Sequence, residues 1–532
     1  MGTTPDQWDF EADVVVVGFG AAGACAALEA RQQGASVLVL DRFHGGGATA
    51  ASGAVVYAGG GTSYQKQAGF NDTPDEMYRY LKLEVGEAVS DVTLRRFCNE
   101  SIANLAWLEE AGVPFEASLC PFKTSYPPDQ YYLYFSGNEQ VARYKAQAKP
   151  APRGHRAKGP GISGLTLFHA LQQAAVQRGI AVRCQAEAQR LVRSPEGQIL
   201  GVEGRALKPG SFWTWLHGQL SYLNAKATTY APDASKQITK VLEQITRAHA
   251  GPFRARARKG VVLSAGGFAF NAEWVRQYAP IYLRSLPLGT VADDGAGIAL
   301  GQSAGGTTAR MDRFSMWRFY VPPEALMRGV LVNRQGKRIC AEDLYGATQG
   351  ECIVREGGDA FLVFDAKTYQ KGMSTLREQS AFFQMLAMLM MFVLGRKKAP
   401  TLRALADKIG VSAEGLEATF RDYNAALESG PNDPLGKAEK YLAPQDTPPF
   451  YAVDCSLDSR NGVPGTMLSL GGLVVDEETG EVRRADGSNI SGLYAAGRNA
   501  VGICSEQYVS GLSIADCVFS GRRAGRHAAQ GK

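Results

Sequence analysis

Three runs of β-forming residues, each ending in glycine and lying far apart in the chain, predict an α/β protein whose parallel sheet is assembled discontinuously around an inserted second domain. The runs are 13–17 (DVVVV), 260–267 (GVVLSAGG) and 492–497 (GLYAAG). Unbroken runs of this kind suit strands buried on both faces. At 532 residues the chain is too long for one compact core. Its 45% hydrophobic and 20% charged residues exclude a disordered, collagen-like or coiled-coil chain. Glycine is over-represented, with 61 residues in clusters, so the backbone must approach something closely at several turns. A net charge of +5 gives no support to a nucleic-acid partner.

The first strand, 13–17, runs into Gly18-Phe19-Gly20-Ala21-Ala22-Gly23, and a helix follows from about residue 21 to 33, stopping at Gly34. A second strand, 36–40, ends at Asp41. This is a βαβ unit with GxGxxG between strand and helix, the Rossmann-like context for a dinucleotide. Gly18, Gly20, Ala22 and Gly23 are expected at its pyrophosphate. Asp41 stands 18 residues after Gly23, near the spacing of an acidic ribose contact, with Arg42 beside it. A tight strand-to-helix turn without a ligand is the plain alternative.

The next segment separates flavin from nicotinamide. Gly45-Gly46-Gly47-Ala48-Thr49-Ala50-Ala51-Ser52-Gly53 directly follows the second strand, and Gly59-Gly60-Gly61 comes soon after. Small side chains let main-chain amides reach a flat ring or a pyrophosphate. A nicotinamide domain does not need such a loop there. Gly46, Gly47, Ala48, Thr49, Ser52 and Gly53 are therefore cofactor candidates. Ala265, Gly266, Asp294 and Gly497 join them from the later strands. A last helix opens at 510–513 and is expected to end near Gly521. Its first turn (Leu512, Ser513, Ile514) can direct a positive dipole end at a flavin's pyrimidine edge.

These pieces, in this order, resemble the fumarate reductase/succinate dehydrogenase flavoprotein superfamily. The resemblance is carried by VVVVGFGAAG, GGATAASG, PGISGLTLFHAL, GVVLSAGGF, ADDGAGIALGQSAGG, GVLVNRQGKRICAEDLYG, LSLGGLVVD and ISGLYAAGRNA. It covers most of the chain. Within the superfamily the chain is similar to the 3-ketosteroid dehydrogenases, and to their Δ4 branch through YYLYFSGNE, KRICAEDLYG and CSEQYVSGLSIADCVFSGRRAG. The resemblance implies an α/β fold: a discontinuous Rossmann-like FAD-binding domain with an inserted α+β substrate (cap) domain. The FAD-binding domain is expected at 1–120, 155–309 and 455–532, with an insertion at 205–259. The cap is expected at 310–454 and a Tyr-rich lid segment at 121–154.

A dicarboxylate substrate needs cationic partners, and no histidine lies between His249 and His527. The inserted segment offers instead Phe314, Met316, Trp317, Phe319, Tyr320 and a Met-rich run at 385–391, suited to a large apolar ligand. The resemblance implies removal of a hydride from C5 and a proton from C4 of a 3-ketosteroid. It assigns Tyr508 and the Gly511 amide to the ketone, Tyr320 to the cap side of the site, and Ser469 to a place beside the proton-abstracting group. Met467 stands where 5α-acting relatives carry a tyrosine, which tilts the reading toward a 5β substrate while leaving 5α open. The Δ1-dehydrogenase, an enone reductase and a non-catalytic flavin-binding subunit are the rival readings. FAD is expected to be noncovalent, although His44 precedes the Gly-rich loop. A steroid is the expected substrate, and a quinone or an electron-transfer flavoprotein the expected acceptor.

Nine scattered cysteines and six histidines form no metal-ligand spacing. The polar N-terminus shows no signal or myristoylation pattern, so a cytoplasmic protein is expected. The apolar stretch 381–394 is too short to span a bilayer and reads as cap core, a channel wall or a peripheral membrane contact. Basic runs at 254–259 and 522–526 read as solvated faces or as contacts to a phosphate.

Overall fold

The computed structural model describes residues 7–230, 232–428, 430, 433–459 and 465–531. The N-terminal stretch 1–6, read above for targeting signals, lies outside them. The main sheet runs, in spatial order, Glu481–Arg483, Asn489–Ala495, Gly251–Leu263, Phe10–Val17, Val37–Leu40 and Ala181–Arg183. All neighbours are parallel except the first pair. Val14 to Val17 lie between Val37 to Leu40 on one side and Gly260 to Leu263 on the other. Val14, Val15 and Val16 are fully buried, as an unbroken valine run requires when helices cover both faces.

The central strand is longer than its apolar run suggests. It begins at Gly251 and alternates Phe253, Ala255 and Ala257 inward with Arg254, Arg256 and Arg258 outward. That period of two makes the basic run the wet face of a strand. Arg254 pairs with Glu203 at 3.0 Å and Arg258 with Asp13 at 3.1 Å. This half of the strand pairs antiparallel with Ile199–Ala206. Between the two strands stand helices Phe212–Tyr230 and Pro232–His249, where the sequence shows only the second. Trp213 stacks on His249 at 3.7 Å.

The inserted region carries an antiparallel sheet of Val330–Val332, Phe361–Phe364, Phe450–Asp454 and Lys397–Ala399. Helices Leu402–Ile409 and Ala413–Glu428 close its core through Leu405, Leu416 and Phe420. A small sheet of Leu286–Pro287, Thr466–Ser469 and Phe314–Trp317 joins this region to the nucleotide-binding part.

The last helix, Leu512–Gln530, continues past Gly521, where the sequence reading ends it. Gly521 and Gly525 are contact points, not stops. A Cβ at either would run into the Ala22 or Ala26 carbonyl of helix Ala21–Gln32. Arg522 and Arg526 belong to the same contact, at 2.7 Å and 3.1 Å from Glu29, which is 2% exposed. The C-terminal basic run is thus mostly an internal ion-pair set and not a solvated face.

Gly525→Val should cost about 3 kcal/mol through overpacking and lower flavin retention. Gly251→Ala, where an added Cβ meets nothing within 4 Å, should leave the melting temperature unchanged. Thermal melts of both variants, read by flavin release, check the pair.

Candidate active site

The first strand turns at Gly18, φ +99°, where a Cβ would stand 2.6 Å from the Ser264 carbonyl oxygen of the adjoining strand. Helix Ala21–Gln32 then starts with Gly20 as its N-cap, which has no side chain of its own to cap it. Gly23 packs onto the Gly18 carbonyl, and Ala22 touches Gly497 at the end of the third strand. The Ala21 N–H donates to Thr49 Oγ1 at 2.9 Å, tying the helix start to the Gly-rich loop.

Asp41 accepts hydrogen bonds from the N–H groups of Phe19 (2.9 Å), Phe43 (2.8 Å) and Gly45 (3.3 Å). Its carboxylate therefore sits at the rim of the turn, where a ribose contact is expected. Arg42 is held by Asp294 at 2.7 Å and Glu187 at 3.6 Å. Gly45, Gly46 and Gly47 all have positive φ and feed the single-turn helix Gly47–Ala50, which contains Ala48 and Thr49. Ser52 Oγ donates to the Thr49 carbonyl at 2.8 Å. The Tyr126 phenol donates to the Gly53 carbonyl at 3.1 Å and its ring covers that glycine.

At the end of the central strand Ala265 leads into Gly266, φ +87°. The neighbouring Gly267 N–H donates to Asp293 at 3.0 Å, and Arg498 pairs with the same carboxylate at 2.6 Å. Asp293, which the sequence reading passes over for Asp294, thus joins two strand ends. Gly511, φ +88°, is the N-cap of the last helix and leaves the turn Leu512-Ser513-Ile514 without a capping side chain. Main-chain groups around Gly20, Gly46 and Thr49 thus gather at one helix start, and Gly511 supplies a second. That donor set fits an anionic, pyrophosphate-bearing cofactor with a flat ring.

Of the four expected catalytic groups, the structure brings together Tyr508 and Gly511. Burial pushes the Tyr508 phenol above its ordinary value, and a hydrogen bond from the Gly511 amide partly offsets this. The Tyr508 ring meets Trp317 edge-on at 4.7 Å. Around them lie Tyr345, Leu468, Leu470 and Phe319. The Tyr345 phenol faces the Ser510 hydroxyl and the Trp317 indole, and Tyr134 is 3.0 Å from Ser510 Oγ. Trp317 Nε1 is buried and turned toward the Tyr345 phenol.

Tyr320 and Ser469 are not in this cluster. The Tyr320 hydroxyl donates to the Glu342 carbonyl at 3.0 Å, with its ring 1% exposed. Ser469 Oγ accepts the Phe268 N–H at 2.8 Å and is fully buried. Ser469 and Met467 share one face of their strand, opposite Phe314 and Met316, whereas Leu468 and Leu470 face Tyr508. The sequence reading missed Tyr345, although it ends the quoted KRICAEDLYG motif but for one residue.

Beneath the cluster lies a buried polar network. Glu84 accepts from Tyr80 at 2.6 Å and from Asn138 Nδ2 at 2.8 Å. Asn138 Oδ1 accepts the Tyr345 N–H at 2.6 Å, and Gln507, next to Tyr508, donates to Thr348 at 3.1 Å and Glu84 at 3.4 Å. Burial pushes the Glu84 carboxyl up to about 7.

A family model described as an FAD binding domain matches residues 13–508. The chain belongs to that family of FAD-binding flavoproteins. It is 39% identical over 510 residues to the 3-oxo-5-alpha-steroid 4-dehydrogenase of Comamonas testosteroni, covering 92% of this chain and 93% of that one. It is 27% identical to a 3-oxosteroid 1-dehydrogenase of Mycolicibacterium smegmatis, over 94% of this chain and 93% of that one. Among solved structures it superposes on the 3-ketosteroid-delta4-(5alpha)-dehydrogenase of Rhodococcus jostii, in complex with 4-androstene-3,17-dione, with a TM-score of 0.83 and 31% identity. That match covers 99% of this chain and 98% of the other. A flavocytochrome c3 fumarate reductase shares the fold, with a TM-score of 0.64 and 23% identity over 98% of this chain and 79% of that one.

The flavoprotein's Glu84 gives a pH prediction. Its folded pKa lies above the unfolded value of about 4.3, so the folded state binds the extra proton. Stability is full below that unfolded value and falls as pH rises toward about 7. Glu84→Gln should gain only about 1 kcal/mol over the parent at pH 5 and about 3 kcal/mol at pH 8. Paired thermal melts at the two pH values read this directly.

Proposed function

We propose that this flavoprotein is a 3-ketosteroid Δ4-dehydrogenase that takes a hydride from C5 and a proton from C4 of a 3-oxo-5α-steroid. The observation that carries the reading is the Tyr508 phenol beside the Gly511 amide at the N-cap of the last helix, in a chain 39% identical to a 3-oxo-5-alpha-steroid 4-dehydrogenase. That relative favours the 5α substrate over the 5β one toward which Met467 tilts the sequence reading. Met467 faces Met316 and not the Tyr508 cluster, which removes the reason for a 5β substrate.

FAD, when bound, supplies the hydride acceptor. Its cradle is the main chain around Gly18, Gly20, Gly23, Gly46, Gly47 and Gly511. The substrate's C3 oxygen receives hydrogen bonds from the Tyr508 hydroxyl and the Gly511 N–H. Both donors stabilise negative charge developing on that oxygen and so acidify C4–H. Trp317, Phe319, Leu468 and Leu470 form apolar walls that exclude water. Tyr345 takes the C4 proton as its own phenolic proton passes to Ser510, from Ser510 to Tyr134 and from Tyr134 to solvent water, so that every hydroxyl ends neutral. This relay avoids a free phenolate, which burial disfavours at Tyr345. Tyr320 and Ser469 are positioning residues in this scheme, holding Glu342 and Phe268. His44 stands near enough to Asp41 and His217 to interact with both charges, and the FAD is taken as noncovalent.

Anaerobic mixing of the yellow protein with matched 5α- and 5β-3-ketosteroids tests the reaction. Bleaching of the flavin with a Δ4 product from the 5α epimer is expected, and bleaching by neither epimer overturns the assignment. In the same assay Tyr508→Phe and Tyr345→Phe should each lower kcat about 100-fold at unchanged flavin content. Tyr320→Phe should stay within a few-fold of the parent; if it, and not Tyr345→Phe, abolishes turnover, the relay runs through Tyr320. Acid precipitation should leave all the FAD in the supernatant, and a yellow pellet would mean a covalent bond.

A further inference from the structure

The stretch 381–395 (AFFQMLAMLMMFVLG) contains no charged residue. It folds as helix Phe382–Leu389, extended by the wider turn Met390–Leu394. One face is core: Gln384, Met388, Met391 and Phe392 are buried. The other is bare, with Phe382 92%, Leu386 69% and Leu394 72% exposed, and Leu389, Met390 and Val393 between them also exposed. Residues 382, 386, 389, 390, 393 and 394 recur at helical spacing, so they form a single continuous stripe. Large apolar residues left in water on one contiguous face mark a docking surface.

Charge decides what docks there. The stripe runs directly into Arg396, Lys397 and Lys398, and both lysines are exposed. No acidic residue occurs between 379 and 406. The other cation of that stretch, Arg403, is engaged by Glu414 and Glu417. An apolar face edged by cations is the pattern of a helix lying in the plane of an anionic lipid surface. A second copy of the chain docked through this stripe would bring no acidic residue of the segment to meet those cations. At 1.5 Å per residue, the thirteen residues 382–394 reach about 20 Å, short of the ~30 Å of a bilayer core, so the helix rests on the surface and does not cross it. Among the described residues no helix is long and apolar enough to span.

The helix also lies over the cleft. Phe383 meets Tyr126 at 5.6 Å, and Ala381 is buried with Val55, Tyr126 and Tyr134. Tyr126 covers Gly53, and Tyr134 bonds Ser510. We propose that the 382–394 stripe, with Lys397 and Lys398, docks the protein on an anionic membrane surface. This turns the side of the cleft built by Tyr126 and Tyr134 toward the bilayer. That a lipid-dissolved steroid enters there rests on the function proposed above; the docking itself does not.

The test uses the FAD-loaded full chain, without substrate, so it can fail independently of the enzymatic reading. Sedimentation with large vesicles of phosphatidylcholine containing a third phosphatidylglycerol should pellet most of the protein, and phosphatidylcholine alone about tenfold less. Phe382→Glu combined with Leu386→Glu and Leu394→Glu should stay in the supernatant. It should keep its flavin and the parent kcat on cyclodextrin-solubilised steroid. Lys397→Glu with Lys398→Glu should lose the preference for anionic vesicles. As a second reading free of added charge, Phe382→Trp should shift its emission to the blue on adding anionic vesicles. Parent protein that remains in the supernatant with both vesicle types overturns the proposal. So does a solution dimer that the triple variant dissociates while neither form binds vesicles, because the face would then be a self-association surface.

Discussion

Everything at the site depends on how closely the first and last helices meet. Helix Ala21–Gln32 and helix Leu512–Gln530 touch backbone to backbone at Ala22 with Gly521 and at Ala26 with Gly525. A side chain at either glycine would force the helices apart and move the Gly511 N-cap away from the Gly-rich loop. The buried Glu29, paired with Arg522 and Arg526, sets the register of that contact. A buried ion pair of this kind is weak evidence for stability. Its consequence here is positional, since it brings two helix N-termini, each with glycine as its N-cap and about 490 residues apart in the chain, to one cleft.

The substrate side is built in a similar way, from segments that meet only in the folded chain. Tyr508 comes from the loop before the last helix, Trp317 and Leu468 from the joining sheet, Tyr345 from the start of helix Gly346–Arg355, and Tyr134 from residues before Gly154. The Glu84–Asn138–Thr348–Gln507 network holds the main chain at Tyr345 and beside Tyr508. Such a network is favourable only when its members are satisfied, and Glu84 is itself buried. Two ring hydroxyls are thereby fixed without either being spent on structure.

Much of the nucleotide-binding half was legible in the sequence. Valine runs ending in glycine have few conformations open to them, and the GxGxxG spacing places a helix start against a strand end. Gly20, Thr49 and Gly46 meet at the first helix start, as the loop's spacing leads one to expect. The errors lie where glycine has two readings. Gly521 looks like a helix stop but is a packing contact, since its side-chain hydrogen faces another helix. The Arg254–Arg258 run, by contrast, reads as a solvated face and is one, although it lies within a strand, because the intervening residues Ala255 and Ala257 are small enough to be buried in a sheet.

The sequence by itself determined the cofactor class, because that rests on short-range spacing and on backbone geometry that only glycine permits; the family and the pairing of Tyr508 with Gly511 came from the resemblance its motifs carry. Tertiary structure alone decided which hydroxyls gather in one cluster. Alternation along Thr466–Ser469 shows that Met467 and Ser469 share a face, but not that the face is the Phe268 core. A strand's two sides are equivalent until something packs on one of them, and that partner lies about two hundred residues away in the chain.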